Sequence, residues 1–465
     1  MTRALPVGLL LILASGCSVL SSLEGYSFDG DEFDSGVRRD ATVDAAAPPD
    51  ARSDADISED AGDEDDAGPD ECGGCSGARP ICDAGSAMCV ECLSNGDCSS
   101  GTCEAGNCNE ATQLALGLTH SCALLEDGAV WCWGGNHRGQ VGDGSMAVTL
   151  TPTMVASLPS VRSIATGSNW TCALTNSEEI YCWGSNLPDE DPEPTLLFGA
   201  PTPELSTSPL RVGGIPGAIA LSGGNDFACA VTAARESYCW GTNWGGQLGN
   251  NTFDWDGSFD RVQASAGPAT LDEIACGGGH TCGRDGMSVV CWGYNDFGQA
   301  GTGDMMTVPS ARAVSTGAAV RTLSLGDVHS CLVADDGVYC WGDNPDGRLG
   351  DGSTVPRNTP LRAIPGSNFA GVTAGRTHTC AWTDDGVAQC WGDGGTGQYG
   401  DGTAASDLAL HRVALSDVAS VVAGGLHNCA LTANAEVHCW GQNDTGQLGD
   451  GTTRQRLSPV RVAWP

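Results

Sequence analysis

The sequence predicts an all-β repeat protein: a radial array of seven small antiparallel sheets, preceded by segments of different character. Three observations predict it. The stretch HSCALLEDGAVWCWG (120–134), two short apolar runs about a tight turn, returns six more times at intervals of 49 to 57 residues, and such a period marks a repeat architecture. Every copy carries one cysteine on each run, and Trp-Gly follows every second cysteine, at Trp133, Trp183, Trp240, Trp292, Trp341, Trp391 and Trp440. The runs themselves, such as WCWG and CAL, are apolar on both faces. That suits sheets stacked against a neighbour on either side.

Composition narrows the setting. The 465 residues carry a formal net charge of −37, and all 21 basic residues are arginine. Such a balance repels phosphate backbones, so nucleic acid is not an expected partner. Twenty-four cysteines point to an oxidising compartment. At the N-terminus, Arg3 precedes the apolar run LPVGLLLIL (5–13), which is too short to span a bilayer. The run ends in ASGC, with Cys17 last. Residues 1–17 therefore read as a signal peptide and resemble the lipobox of bacterial lipoproteins, with Ala14 where that family usually has leucine. The resemblance implies lipidation of Cys17, and Ser18 after it favours the outer membrane. The expected location is an exported lipoprotein of the bacterial outer membrane or cell surface.

Residues 18–70 form an acidic linker of Asp, Ala and Pro with few large apolar side chains. It cannot bury enough surface to offset its ordering entropy, and its carboxylates repel one another. Residues 71–110 hold eight cysteines: Cys72, Cys75, Cys82, Cys89, Cys92, Cys98, Cys103 and Cys108. A segment with so little apolar material relies on cross-links. Two C-x-x-C pairs could bind zinc, but there is no histidine, and four disulfides of undeduced connectivity are the expectation.

From residue 111 each copy follows one order. A hydrophobic strand comes first, then Gly, usually His, and the first cysteine. An Asp-Gly turn, supplying the positive φ of a tight hairpin at 127–128, 336–337 and 385–386, leads to the second cysteine with Trp-Gly. Asn, Gly-Gln-Leu-Gly and a Pro-containing strand close the unit. Each unit reads as four antiparallel strands. The glycines five residues before the first cysteines (Gly117, Gly167, Gly224, Gly277, Gly326, Gly375 and Gly424) mark close backbone approach or a bend near the axis. The cysteines pair by spacing: Cys122 with Cys132, Cys172 with Cys182, Cys229 with Cys239, Cys282 with Cys291, Cys331 with Cys340, Cys380 with Cys390, and Cys429 with Cys439. Each pair can face across a hairpin. Disulfides are the expectation; two thiolates per unit are too few for structural zinc. Cys276 is left over and reads as a buried free thiol. His120, His280, His329, His378 and His427 recur two residues before the first cysteine, with Trp170 and Phe227 in that place in the second and third copies. An aromatic that substitutes there indicates packing and hydrogen bonding rather than metal binding. No metal or other cofactor is expected.

The pattern GxxHsCAL followed by CWGxNxxGQLGdGT resembles the repeat of the regulator of chromosome condensation family, over residues 111–465. The resemblance implies a seven-bladed β-propeller of four-stranded blades. It also implies closure by the C-terminal stretch LSPVRVAWP (457–465), a strand from one chain end pairing with strands from the other. The family's founder exchanges guanine nucleotide on a small nuclear GTPase; export and acidity argue against that activity here, and none of its functional residues is assigned. Secreted β-lactamase inhibitors with this propeller bind proteins.

Departures from the repeat point to candidate binding loops. The second copy inserts 187–208. The third inserts TFDWDGSFDR (252–261), placing Phe253, Trp255 and Phe259 among aspartates, while Trp244 and Phe297 fall in the corresponding loops of the third and fourth copies. Aromatics ringed by acid suit a protein or polysaccharide partner. No Gly-x-Ser-x-Gly, His-Glu-x-x-His or phosphate loop is present. The expected function is binding by an envelope-anchored or secreted ring with no evident catalytic residue. The alternative is an extracellular hydrolase or lyase with a site on one face.

Overall fold

A computed structural model of the chain describes residues 81–83, 88–90, 98, 101–104, 107–187, 197–198, 203–254, 260–261, 263–264, 267–268 and 270–465. Seven blades follow one another, each of four consecutive strands in antiparallel order; in the fourth, the short strands Gln263–Ala264 and Gly267–Pro268 extend the sheet past its outer edge, Gln263–Ala264 running parallel to Val308–Val314. Blade 1 is Ala111–Leu116, His120–Leu125, Val130–Gly134 and Thr149–Met154. Blade 7 is Val418–Ala423, His427–Thr432, Val437–Gly441 and Arg456–Arg461. The first strands of successive blades neighbour one another all the way round, blade 7 returning to blade 1. They therefore line the axis, and each fourth strand is an outer edge. Among the described residues no helix is long and apolar enough to cross a membrane.

Second strands are buried along their whole length in most blades, as in HSCALL, WTCALT and FACAVT. Both of their faces meet neighbouring blades, which explains the missing polar alternation.

All seven disulfides expected within the repeats are formed, one per blade. In chain order they join Cys122 to Cys132, Cys172 to Cys182, Cys229 to Cys239, Cys282 to Cys291, Cys331 to Cys340, Cys380 to Cys390, and Cys429 to Cys439. Each bond links residues directly opposed on the second and third strands of its blade. The Cα atoms stand 4.0–4.1 Å apart, the close spacing of a non-hydrogen-bonded antiparallel pair. Among the described residues Cys276 is the free cysteine, buried, and burial pushes its thiol up to about 12 despite hydrogen bonding with Ser222 and Thr281.

Closure differs from the expectation. Among the described residues no blade mixes strands from the two chain ends. The chain enters the ring on a first strand, Ala111–Leu116, so every repeat completes its own sheet. The C-terminal stretch supplies the fourth strand of blade 7 and pairs with Val437–Gly441. The seam is sealed by side chains instead. Trp464 stands edge-on to Trp131 and Trp133, each at 6.1 Å, and Val462 is buried among residues of both blades.

In the cysteine-rich segment Cys98 and Cys108 are bonded, and Cys82 lies opposite Cys89 in a short strand pair. Arg461 of blade 7 donates to the Cys98 carbonyl at 2.8 Å, fastening this segment to the ring. Cys72, Cys75 and Cys92, the linker, and the leader with Cys17 lie outside the described residues.

Candidate interaction face

The repeated histidines belong to the frame. Each lies against the axial glycine of its own blade, and a Cβ on that glycine would also stand 2.3–2.8 Å from the next blade's glycine carbonyl. Only glycine allows this approach. Each histidine Nε2 meets the next blade: His120 with Thr171 (2.9 Å), His280 with Ser330 (2.8 Å), His329 with Thr379 (2.8 Å), His378 with Asn428 (2.9 Å) and His427 with Ser121 (2.9 Å). The four hydroxyls spend their own proton on a carbonyl of the preceding blade's loop, as Ser121 does on Gln447 at 2.8 Å. Nε2–H must therefore be the donor, and the Asn428 carbonyl oxygen requires the same tautomer. Burial pushes His120, His280 and His427 down to about 3 and His378 to about 4. These imidazoles are neutral structural donors, as their replacement by Trp170 and Phe227 indicated. Trp170 Nε1 makes the same crossing, to the Asn225 carbonyl at 2.6 Å.

The same loop carbonyls accept the Trp-Gly tryptophans of the following blade. Trp133 donates to Gln447, Trp183 to Gln140, Trp292 to Gln247, Trp341 to Gln299, Trp391 to Arg348 and Trp440 to Gln398, at 2.8–3.0 Å. Every one of these carbonyls sits on the loop between third and fourth strands. A buried asparagine holds that loop in shape. In blade 4, Asn295 donates to the carbonyls of Asp304 (3.1 Å) and Met306 (3.0 Å) and accepts from Ala300 N–H at 2.8 Å. Asn136, Asn243, Asn344 and Asn443 do the same in their blades. Blade 6 has Gly394 there, and the Tyr399 hydroxyl fills in, donating to the Gly392 carbonyl at 2.5 Å.

With its backbone fixed, the loop's outward positions are free to differ. In blades 3 and 4 they carry an aromatic ridge. Trp244 and Tyr294 meet edge to face with centroids 5.2 Å apart at 61°, and Tyr294 meets Phe297 at 6.3 Å and 71°. Trp244 lies over Gly279 of the next blade, where a Cβ would press its ring at 3.4 Å. Trp244 remains 45% exposed, Phe253 50% and Phe297 36%, an unusual cost for large apolar side chains unless something covers them. Phe253 borders Gly246, and Met305 and Met306 are exposed on the blade 4 loop. The Tyr294 hydroxyl donates to Asp296 at 3.0 Å; burial, then Asp296, push this phenol up to about 12, so it stays a neutral donor.

Three of the five predicted aromatics, Trp244, Phe253 and Phe297, thus lie exposed on loops of adjacent blades at one end of the ring. Trp255 and Phe259 lie outside the described residues. The insertion 187–208 behaves differently: Phe198 is buried and packs edge-on to Trp170 at 6.4 Å. Sequence reasoning missed Tyr294. Its signal was an aromatic where other copies have Gly135, Thr242, Asp343, Asp393 and Gln442.

Family models for the regulator of chromosome condensation repeat match residues 111–140, 320–348 and 418–447, and a second such model matches 127–174, 335–382 and 434–465. The chain carries repeats of the regulator of chromosome condensation family. The E3 ubiquitin-protein ligase HERC2 of Mus musculus and of Homo sapiens is each 28% identical to it over 210 residues, 44% of this chain. That stretch is 4% of either relative's length. Among solved structures, human WBSCR16 superposes with a TM-score of 0.63 at 20% identity, covering 72% of this chain and 95% of its own. Prp20p from Saccharomyces cerevisiae gives 0.58 at 24%, covering 67% and 80%. Both likenesses concern the propeller fold.

Proposed function

We propose that the ring is a protein-docking platform held outside the cytosol, with a partner seated on the Trp244–Tyr294–Phe297 ridge. The ridge carries the reading. Its rings cross at 61° and 71°, so it presents a corrugated surface. Interdigitating side chains fit such a surface better than the flat face of a sugar chain does. Export is supported by the apolar leader, by Cys17 in its lipobox-like setting and by the disulfide of every blade. The acidic stretch 18–70 would space the ring from a lipid anchor.

Prp20p is described with binding properties to Gsp1p and histones; that protein shows what the fold supports elsewhere and assigns no partner here. The test uses the full chain as bait in cell-envelope extract, beside incubation with glycan and peptide libraries. The proposal predicts a retained protein that the double variant Trp244→Ala/Phe297→Ala releases while its melting temperature is unchanged. A library component consumed with no protein retained would establish the hydrolase or lyase alternative instead.

A further inference from the structure

The loop joining third to fourth strand carries the same aspartate in blades 5, 6 and 7: Asp351, Asp401 and Asp450. In blades 5 and 7 an arginine that opens the fourth strand meets its charge. Arg357 lies opposite Gly342 and reaches Asp351 at 2.9 Å; Arg456 lies opposite Gly441 and reaches Asp450 at 2.6 Å. Blade 1, with Asp143 in its loop, has the neutral Thr149 opposite Gly134. In blade 6 the residue opposite the matching Gly392 is Asp407. A second carboxylate stands where blades 5 and 7 place a permanent cation.

His411 reconciles the two acids. Its Nδ1 meets Asp401 and its Nε2 meets Asp407, each at 2.8 Å. An ionised carboxylate only accepts hydrogen bonds, and both are already accepting elsewhere, Asp401 from Thr403 N–H at 2.9 Å and Asp407 from Ala409 N–H at 2.8 Å. Both ring nitrogens must therefore donate, which makes His411 an imidazolium. It lies flat on the Tyr399 ring, with centroids 3.9 Å apart and planes 7° from parallel, where an aromatic face attracts a cation. Across the sheet stands Cys390, bonded to Cys380 and unable to titrate. Burial alone would weaken the hold of His411 on its proton, but Asp407 and Asp401 outweigh it and keep the imidazole above its ordinary value.

We infer that His411 is a pH-sensitive brace: protonated, it ties the blade 6 loop to its fourth strand, and on losing its proton it loosens that loop. A neutral imidazole keeps one donor, so one carboxylate then faces a lone pair and the other acid with no cation between them. The folded ring holds this proton more tightly than the unfolded chain does. The contribution is fully present below about pH 6.5 and is lost as pH rises through the folded value. That sign is opposite to the axial histidines. The arginines of blades 5 and 7 stay charged throughout.

Hydrogen exchange of the full chain, followed by mass spectrometry from about pH 5 to about pH 9, tests the inference. The blade 7 loop 443–456 serves as internal reference for the intrinsic pH dependence. Relative protection of loop 394–407 should fall at least about threefold across that range, the size of one partly exposed ion pair. Asp407→Arg, which restores the arrangement of blades 5 and 7, should keep the loop closed at high pH. His411→Gln should leave it open at every pH. A wild-type loop whose relative protection does not change with pH overturns the inference. So does a pH dependence that persists in His411→Gln, or an Asp407→Arg loop that still opens at high pH.

Discussion

The loops joining third to fourth strands in blades 3 and 4 and those in blades 5 and 7 share a skeleton and differ in dress. Asn243 and Asn295 clamp the first pair with the same bonds that Asn344 and Asn443 make in the second. Outward, blades 3 and 4 present Trp244, Tyr294 and Phe297. Blade 5 presents Pro345 and Asp346, and blade 7 Asp444 and Thr445. Blades 5 and 7 also brace the loop with ion pairs, Arg357–Asp351 at 2.9 Å and Arg456–Asp450 at 2.6 Å. The lesson is a division of labour. Buried amides and carbonyls fix the loop and the ring, which leaves exposed positions free to become a binding surface in one sector and a solvated one in another.

The largest effect should come from the frame common to both sectors. The axial histidines are neutral in the folded ring: burial pushes His120, His280 and His427 down to about 3, His378 to about 4 and His329 well below its ordinary value, against about 6.5 when unfolded. The unfolded chain therefore binds more protons below that value. Stability is fully present above pH ~6.5 and falls as pH drops towards the folded values, by up to about 1.4 kcal/mol per histidine per pH unit. Melting temperatures from pH 7 to 4 should fall steeply. Amide exchange should loosen first at the His-bearing interfaces and spare Trp170 and Phe227, which do not titrate.

Next in size, Asn295→Ala and Asn344→Ala should each cost roughly 2–3 kcal/mol, since each leaves two loop carbonyls and an amide without a partner. Equal losses in thermal unfolding would establish a shared skeleton; a loss in one blade only would break the comparison.

Smallest, Arg357→Ala and Arg456→Ala should cost about 0.5–1 kcal/mol, because the guanidinium groups are partly exposed and screened. Burial raises the Asp351 and Asp450 carboxyls, but arginine and the adjacent hydroxyls outweigh it and hold both below the usual carboxylate range. Their contribution is present above the unfolded carboxylate value and disappears as pH falls through the folded one. A pH-independent cost would contradict the ion-pair account.

The frame was legible because repetition exposed it. Seven copies of Gly, Cys and Trp-Gly, compared within one chain, located the axis, the disulfides and the structural role of the histidines. The seam was misread because 457–465 looks like a missing piece, although Ala111–Leu116 already opens a complete blade. The ridge was half legible. Trp244 and Phe297 stand out as aromatics in variable loops, but their contact through Tyr294 depends on how adjacent blades stack, which no single repeat encodes. Trp255 and Phe259 look equivalent to Phe253 in sequence and lie outside the described residues.

The most direct measurement compares the affinity of two double variants for the protein the wild-type chain retains. Trp244→Ala/Phe297→Ala should weaken binding by at least roughly tenfold, as loss of aromatic anchors does. Arg357→Ala/Arg456→Ala should leave it within about twofold, as rim-like charges usually do. Equal losses, or a loss confined to the arginine variant, would contradict the assignment of binding to the aromatic sector.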